Sequence, residues 1–289
     1  MRKASALTRF VASGIAVVAL LGGCGQTPSA TPDSGVPSPA QAAAAQAAAA
    51  GAYQAGRGEP IGLPAGSVYS NPASGRDEVV VPDMRHTALL IGDSQSEPTD
   101  GWPRLGLAAV GYKVHFCGLG GTGFVASNGK TGNYIDALQR GDWKLPYGTP
   151  ALIVIQGGGN DAARGATDAQ IVANADRLIR VLRDRYPGAR MAMIGTLARG
   201  ANYGGGRRTQ VDALLGTVAA RHGIPFVGVG DWLSKYKLSK NLADAVHMDA
   251  AGRRSLGGLL EARLRQLGLE GPALDGTVPA AASAFTPAD

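Results

Sequence analysis

"ALLIGDSQSEPTDGWP" occupies residues 88–103. Four aliphatic residues, Ala88 to Ile91, stop at Gly92; a carboxylate, Asp93, and a hydroxyl, Ser94, come directly after. An apolar run without polar alternation reads as a strand covered on both faces. Strands of that kind sit inside parallel sheets, and such sheets gather their ligands beyond the carboxyl ends of the strands. The stretch therefore predicts a fold class and the place to look for chemistry.

Further runs of strand length occur at Lys113–Cys117, Ala151–Gln156, Met191–Gly195 and Pro225–Val229. Helical patterns separate them. Trp102, Leu105 and Ala109 share one face, and Ile171, Ala175, Leu178, Ile179 and Leu182 keep a 3.6-residue period. Tyr186-Pro187-Gly188 stops that helix. Val211, Leu214, Leu215 and Val218 mark another, and a last helix runs from about Ala250 to Leu267. Alternation of strand and helix predicts an α/β fold of three layers, a five-stranded parallel sheet between helices; a flavodoxin-like fold of this kind is expected, with its strand order 2-1-3-4-5. The domain is expected over residues 76–268.

Each strand end carries distinctive residues. After the first come Gly92-Asp93-Ser94, after the second "GLGGTGF" (118–124), and after the third "GGGND" (157–161). After the fifth, a long loop leads to "DAVHMDAAG" (244–252). In the expected order the first three strands are neighbours, so their loops converge around Ser94. The histidine loop must cross three strand spacings, roughly 14 Å at about 4.8 Å each. The chain between Asp231 and His247 is long enough to do so.

These four blocks, in order, resemble those of the SGNH hydrolases, the GDSL-type esterase/lipase superfamily. The resemblance implies Ser94 as nucleophile, His247 as base and Asp244 as the residue that orients it. It implies an oxyanion hole from the backbone N–H of Ser94, the backbone N–H of Gly121 (or Gly120) and the side-chain amide of Asn160. The residue types suit the chemistry. A serine hydroxyl is a poor nucleophile until a base takes its proton, histidine titrates near neutral pH, and N–H donors stabilise the charge that attack creates. Gln95 stands where the family name has leucine, a departure expected to matter little. Met248 comes after the histidine where proline or leucine is frequent. Asp161 is open to a structural role, fixing its loop.

The implied activity is hydrolysis of carboxylic esters, of an acylated glycan or a lipid, through an acyl-serine intermediate without metal or cofactor. An acyltransferase using the same triad, or a non-catalytic glycan-binding lipoprotein, is the alternative. A dinucleotide reading of Gly118-Leu119-Gly120-Gly121-Thr122-Gly123 fails on the adjoining residues: "FVASNGKTGNY" (124–134) opposes the helix such a fingerprint must open. "ARGANYGGGRRT" (198–209) is either a lid, bringing Tyr203, Arg207 and Arg208 toward an anionic or sugar substrate, or a surface loop. Trp102, Trp143 and Trp232 are expected in the core, as is Cys117, an inert thiol.

The termini read differently. In "MRKASALTRFVASGIAVVALLGGCG" (1–25), Arg2, Lys3 and Arg9 precede an apolar stretch from Phe10 to Leu21. It is shorter than the roughly 20 residues a membrane span needs and suits a signal segment. Leu21-Gly22-Gly23-Cys24 resembles a bacterial lipobox, which implies a signal peptide over 1–24, acylation of Cys24 and an extracytoplasmic, membrane-anchored protein. Without those three cations the formal charge of +6 falls to +3, too weak a balance to argue for nucleic acid. Residues 25–75, rich in Pro, Ala, Ser and Gln, are expected to form a flexible tether of roughly 40 Å r.m.s. span, and 269–289 a loose tail.

Overall fold

The computed structural model describes residues 62–272. The expected signal segment, Cys24, the tether up to residue 61 and the tail from residue 273 lie outside the described residues.

The sheet contains five parallel strands: β3 (Thr87–Gly92), β4 (Lys113–Gly118), β5 (Leu152–Gln156), β6 (Arg190–Ile194) and β7 (Phe226–Val227). Their order is β4-β3-β5-β6-β7, the expected 2-1-3-4-5. All six residues of β3 and all five of β5 are buried, which is why these strands are continuously apolar in sequence. Their side chains alternate between two cores. Leu89, Ile91, Ile153 and Ile155 pack under α2 (Tyr134–Arg140), α4 (Asp168–Arg185) and α5 (Gly206–Arg221). Ala88, Leu90, Leu152 and Val154 face α1 (Trp102–Ala109), α6 (Trp232–Lys235) and α7 (Ala250–Gln266). Each fully buried leucine or isoleucine contributes about 1.5–3 kcal/mol, so the two layers of helices hold the strand ends rigidly.

Register decides where the loops emerge. Ile91 pairs with both Cys117 and Ile155, and Gly92 with Gly118. The three strands thus end level. At the last rung a Cβ on Gly118 would lie 2.0 Å from the Gly92 carbonyl oxygen, so only glycine fits where the second loop leaves the sheet. A short α3 (Gly159–Ala163) comes directly after β5. The Thr167 side chain accepts from the Gln170 N–H, and the Gln170 side chain reaches back to the Thr167 N–H, so α4 starts with a capping box.

Two boundaries differ from the sequence expectation. A hairpin, β1 (Val68–Asn71) with β2 (Arg76–Val79), occupies the end of the expected tether. It has no apolar run to reveal it. Its anchor is ionic: Glu78, buried at 1 % exposure, pairs with Arg185 of α4 and accepts from Asn71 and Ser74. At the other end Leu269 is buried, the Glu270 carbonyl accepts from the Tyr112 hydroxyl, and the Gly271 N–H donates to Val110. The fold runs past residue 268. The fifth strand is also shorter than expected. Beyond Val227 the chain turns away, and the Val229 N–H donates to Asp212 of α5 instead of to a strand.

Candidate active site

Ser94 leaves β3 in a tight turn. Asp93 organises the turn: its carbonyl accepts from the Ser96 and Glu97 N–H groups, and its carboxylate accepts from the Gln95 N–H at 3.0 Å. Ser94 is half-buried at the rim, whereas Asp93, Gln95 and Ser96 point inward.

His247 reaches Ser94 from the loop before α7. Its Nε2 lies 2.8 Å from Ser94 Oγ and its Nδ1 lies 2.7 Å from Asp244 Oδ2. The other Asp244 oxygen accepts from the Val246 and His247 N–H groups, each at 2.7 Å. Those two backbone bonds, and then the imidazole, pull the Asp244 pKa down to about 2, so it is a carboxylate at any working pH. With Nδ1–H donating to that carboxylate, Nε2 presents its lone pair to the serine hydroxyl. The loop is closed at its base: Leu242 and Met248 bridge, the Ala243 N–H donates to the His247 carbonyl at 2.8 Å, and Asp249 caps α7.

The second and third blocks are tied together. Asp161, fully buried, accepts from the N–H groups of Phe124, Val125 and Ala126 at 2.7–2.9 Å. Asn160 donates one amide hydrogen to the Thr122 carbonyl at 2.9 Å, leaving the second. Gly121 adopts a left-handed φ of 80°, which favours glycine. The Gly120 N–H already donates to Glu97 Oε2 at 2.8 Å. The N–H groups of Ser94 and Gly121 have no acceptor among the described residues. No helix opens after the "GLGGTG" run until Tyr134.

Gln95 matters more than its place in the motif suggests. Its Nε2 donates to the Val246 carbonyl at 2.8 Å and its Oε1 accepts from the Trp102 indole at 3.0 Å. It therefore ties the serine turn to the histidine loop across 151 positions. A leucine in its place would make neither bond. Sequence gives one signal only, a polar residue where the family name has an apolar one.

Other sequence candidates fall elsewhere. Trp102 and Trp232 are buried and pack on each other, with ring centroids 6.2 Å apart; Trp143 packs against the opposite core. Cys117 is buried, and burial pushes its thiol up to about 12. Of the glycine-rich stretch, Ala201–Tyr203 form a single 3-10 turn, while Arg207 and Arg208 belong to the first turn of α5. Among the described residues no group of three or more His, Cys, Asp or Glu is placed to hold a metal ion.

Burial also raises the Asp93 carboxyl from 3.8 to about 6, offset in part by hydrogen bonds from Gln95 and Gln156 and by the charge of Arg208. Between pH 4 and 6 the folded protein then binds a proton that the unfolded chain has released. Stability therefore falls as pH rises through this window, by on the order of 3 kcal/mol from this group. Asp212 is raised to about 6 in the same way. Carboxylates with lowered pKa, such as Asp244, act with opposite sign below pH 4, and His115, whose pKa burial lowers, partly offsets the fall as pH rises toward neutrality. The urea midpoint is expected to drop from pH 4 to pH 7, and Asp93→Asn to flatten that slope. An unchanged slope in the variant would refute the assignment.

A three-layer fold with serine, glycine, asparagine and histidine blocks around one strand end defines an SGNH-type hydrolase domain. The chain belongs to the GDSL-like lipase/acylhydrolase family, whose profile matches residues 88–254. That membership supports an esterase-type hydrolase. Among solved structures, an active-site mutant of a family two carbohydrate esterase from Clostridium thermocellum is 16% identical, with 64% of each chain covered and a TM-score of 0.50. A family two carbohydrate esterase from Cellvibrio japonicus is 17% identical, with 67% of this chain and 64% of that one covered and a TM-score of 0.50. The chain thus spans just under two thirds of the length of these two enzymes. A member of the lipolytic G-D-S-L family from Veillonella parvula is 16% identical, covering 63% of this chain and 97% of that chain, with a TM-score of 0.47. Likenesses at this level are likenesses of fold. No curated protein matches the chain.

Proposed function

We propose that the protein is a serine esterase that cleaves carboxylic esters through an acyl-enzyme on Ser94. The observation that carries the reading is the continuous chain from Ser94 Oγ through His247 to Asp244, with contacts of 2.8 and 2.7 Å. His247 takes the serine proton as Oγ attacks the ester carbonyl and returns it to the departing alcohol. Water, activated by the same imidazole, then releases the acid. Asp244 stays ionised and steadies the imidazolium. The oxyanion is received by the N–H of Ser94, the N–H of Gly121 and the free amide hydrogen of Asn160. Gly121 is favoured over Gly120 because the Gly120 N–H is already engaged by Glu97.

Hydrolysis of short-chain p-nitrophenyl esters by the wild type, Ser94→Ala and His247→Ala tests this reading, together with labelling of Ser94 by a fluorophosphonate. Equal activity in all three would overturn it. Gln95→Leu frees the histidine loop and orphans the Trp102 N–H. It is expected to lower kcat about tenfold or more with little change in KM, and to cost about 1–3 kcal/mol of stability. Unchanged kcat with lowered stability would reduce Gln95 to a purely structural role.

The basic, apolar and small-residue succession that ends at Cys24 supports an extracytoplasmic, lipid-anchored placement. Radiolabelled fatty acid incorporated by the wild type and not by Cys24→Ala is the expected outcome. A surface-held enzyme fits an acylated glycan or lipid ester as substrate.

A further inference from the structure

Beside the histidine loop lies a cavity of about 210 Å³. Its floor reaches Val246, the residue before His247, and its wall is formed by Leu197, Gly204, Gly205 and two arginines, Arg199 and Arg208. Every other lining residue is apolar or glycine, so Arg199 and Arg208 are the only charged residues among the described residues that line it.

Arg208 sits between the third and fourth blocks. Its Nε donates to the Leu197 carbonyl at 3.1 Å and its Nη1 makes a long contact of 3.4 Å to the carbonyl of Gly159, the residue before Asn160. A Cβ on Gly159 would lie 2.8 Å from Arg208 Nη2, so the guanidinium lies close against that backbone. A guanidinium has five N–H donors. Among the described residues no carboxylate forms an ion pair with Arg208; Asp93 acts on it only through space. Its neighbour Arg207 differs, being paired with Asp168. Arg199 is exposed and has no hydrogen-bond or ion-pair partner among the described residues. Burial disfavours the charge on Arg208, and such a cation gains most from an anion that arrives with a ligand.

We propose that this cavity is a subsite for an anionic substituent of the ester, a carboxylate or phosphate held by the forks of Arg208 and Arg199. The proposal rests on the esterase reading and adds to it the charge of the substrate. The volume is below the roughly 300–1,000 Å³ of pockets that enclose whole ligands, so it suits one substituent and not a long acyl chain. The planar fork of arginine matches both oxyanions in two-point contacts.

The test compares kcat/KM for phenyl acetate, 4-carboxyphenyl acetate, 4-acetoxyphenyl phosphate and 4-nitrophenyl hemisuccinate. The second and third carry the anion on the alcohol, as carboxylate and phosphate; the fourth carries it on the acyl group. For at least one anionic ester, the ratio to its neutral counterpart (phenyl acetate, or 4-nitrophenyl acetate for the hemisuccinate) is expected to fall about tenfold in Arg199→Ala and Arg208→Gln. Arg208→Lys should lie between. The ester that responds most assigns the anion and its side of the scissile bond. Arg199 is exposed, so its variant keeps the test decisive even if Arg208→Gln unfolds. Ser94-dependent cleavage of phenyl acetate with no ratio moving more than twofold would sink the subsite and leave the esterase standing. A wild type that cleaves none of these esters and resists the fluorophosphonate overturns both.

Discussion

Ser94→Ala is expected to lower kcat on p-nitrophenyl acetate by about 10⁵-fold or more, while substrate binding changes little. The hydroxyl that lies 2.8 Å from His247 Nε2 is the atom that forms the covalent bond, and no neighbouring group replaces it. The carboxylates of the same turn are engaged elsewhere: Glu97 accepts from the Gly120 N–H and Asp93 from the Gln95 N–H. Removing His247 in the same background should cost almost nothing more, because residues that act as a unit are strongly non-additive. The residual rate belongs to the oxyanion donors, which keep roughly 10³–10⁴-fold over water in enzymes of this kind. Steady-state kinetics, with the active fraction counted by fluorophosphonate labelling, gives the number. Retention of more than a hundredth of wild-type kcat would show that another nucleophile is at work.

The second large effect is on stability. Asp161→Ala removes the acceptor for three N–H groups, those of Phe124, Val125 and Ala126. The carboxylate also lies against the bare Cα of Gly123: a Cβ there would meet it at 2.5 Å. A buried donor left without an acceptor costs about 1–3 kcal/mol. Three of them imply about 3–9 kcal/mol, a large part of the roughly 5–15 kcal/mol that holds a domain together. Asp161→Asn keeps one accepting oxygen and turns an NH2 toward at least one donor, so it should fall between. Urea unfolding measures both. A loss below about 1 kcal/mol in the alanine variant would mean that water replaces the carboxylate, and that the loop is not held as described.

The central strands are legible because burial on both faces writes an unbroken apolar run, as in Leu89 to Ile91 and Leu152 to Ile155. The parallel α/β class comes from the alternation of strand and helix, and the histidine block from its Asp-x-x-His spacing. The hidden features have a common physical form: a polar contact between residues distant in sequence. The hairpin at 68–79 is fastened by Glu78 to Arg185, and neither residue announces a strand. Gln95 reads as a neutral departure until its amide is placed between Val246 and Trp102. The choice between Gly120 and Gly121 needs the position of Glu97, 23 residues earlier. Leu269 reads as the start of a tail because one apolar residue after a helix carries no period.

Asn160 and Asp161 are neighbours, and both grip the same short segment, one through the Thr122 carbonyl and the other through the amides of 124–126. The second and third loops are thereby riveted into a single plate. An engineer who wants to admit a bulkier acid cannot shift Gly121 and leave Asn160 in place, or the reverse. Room has to be carved where residues 197–208 meet the histidine arm, two segments that no hydrogen bond joins among the described residues.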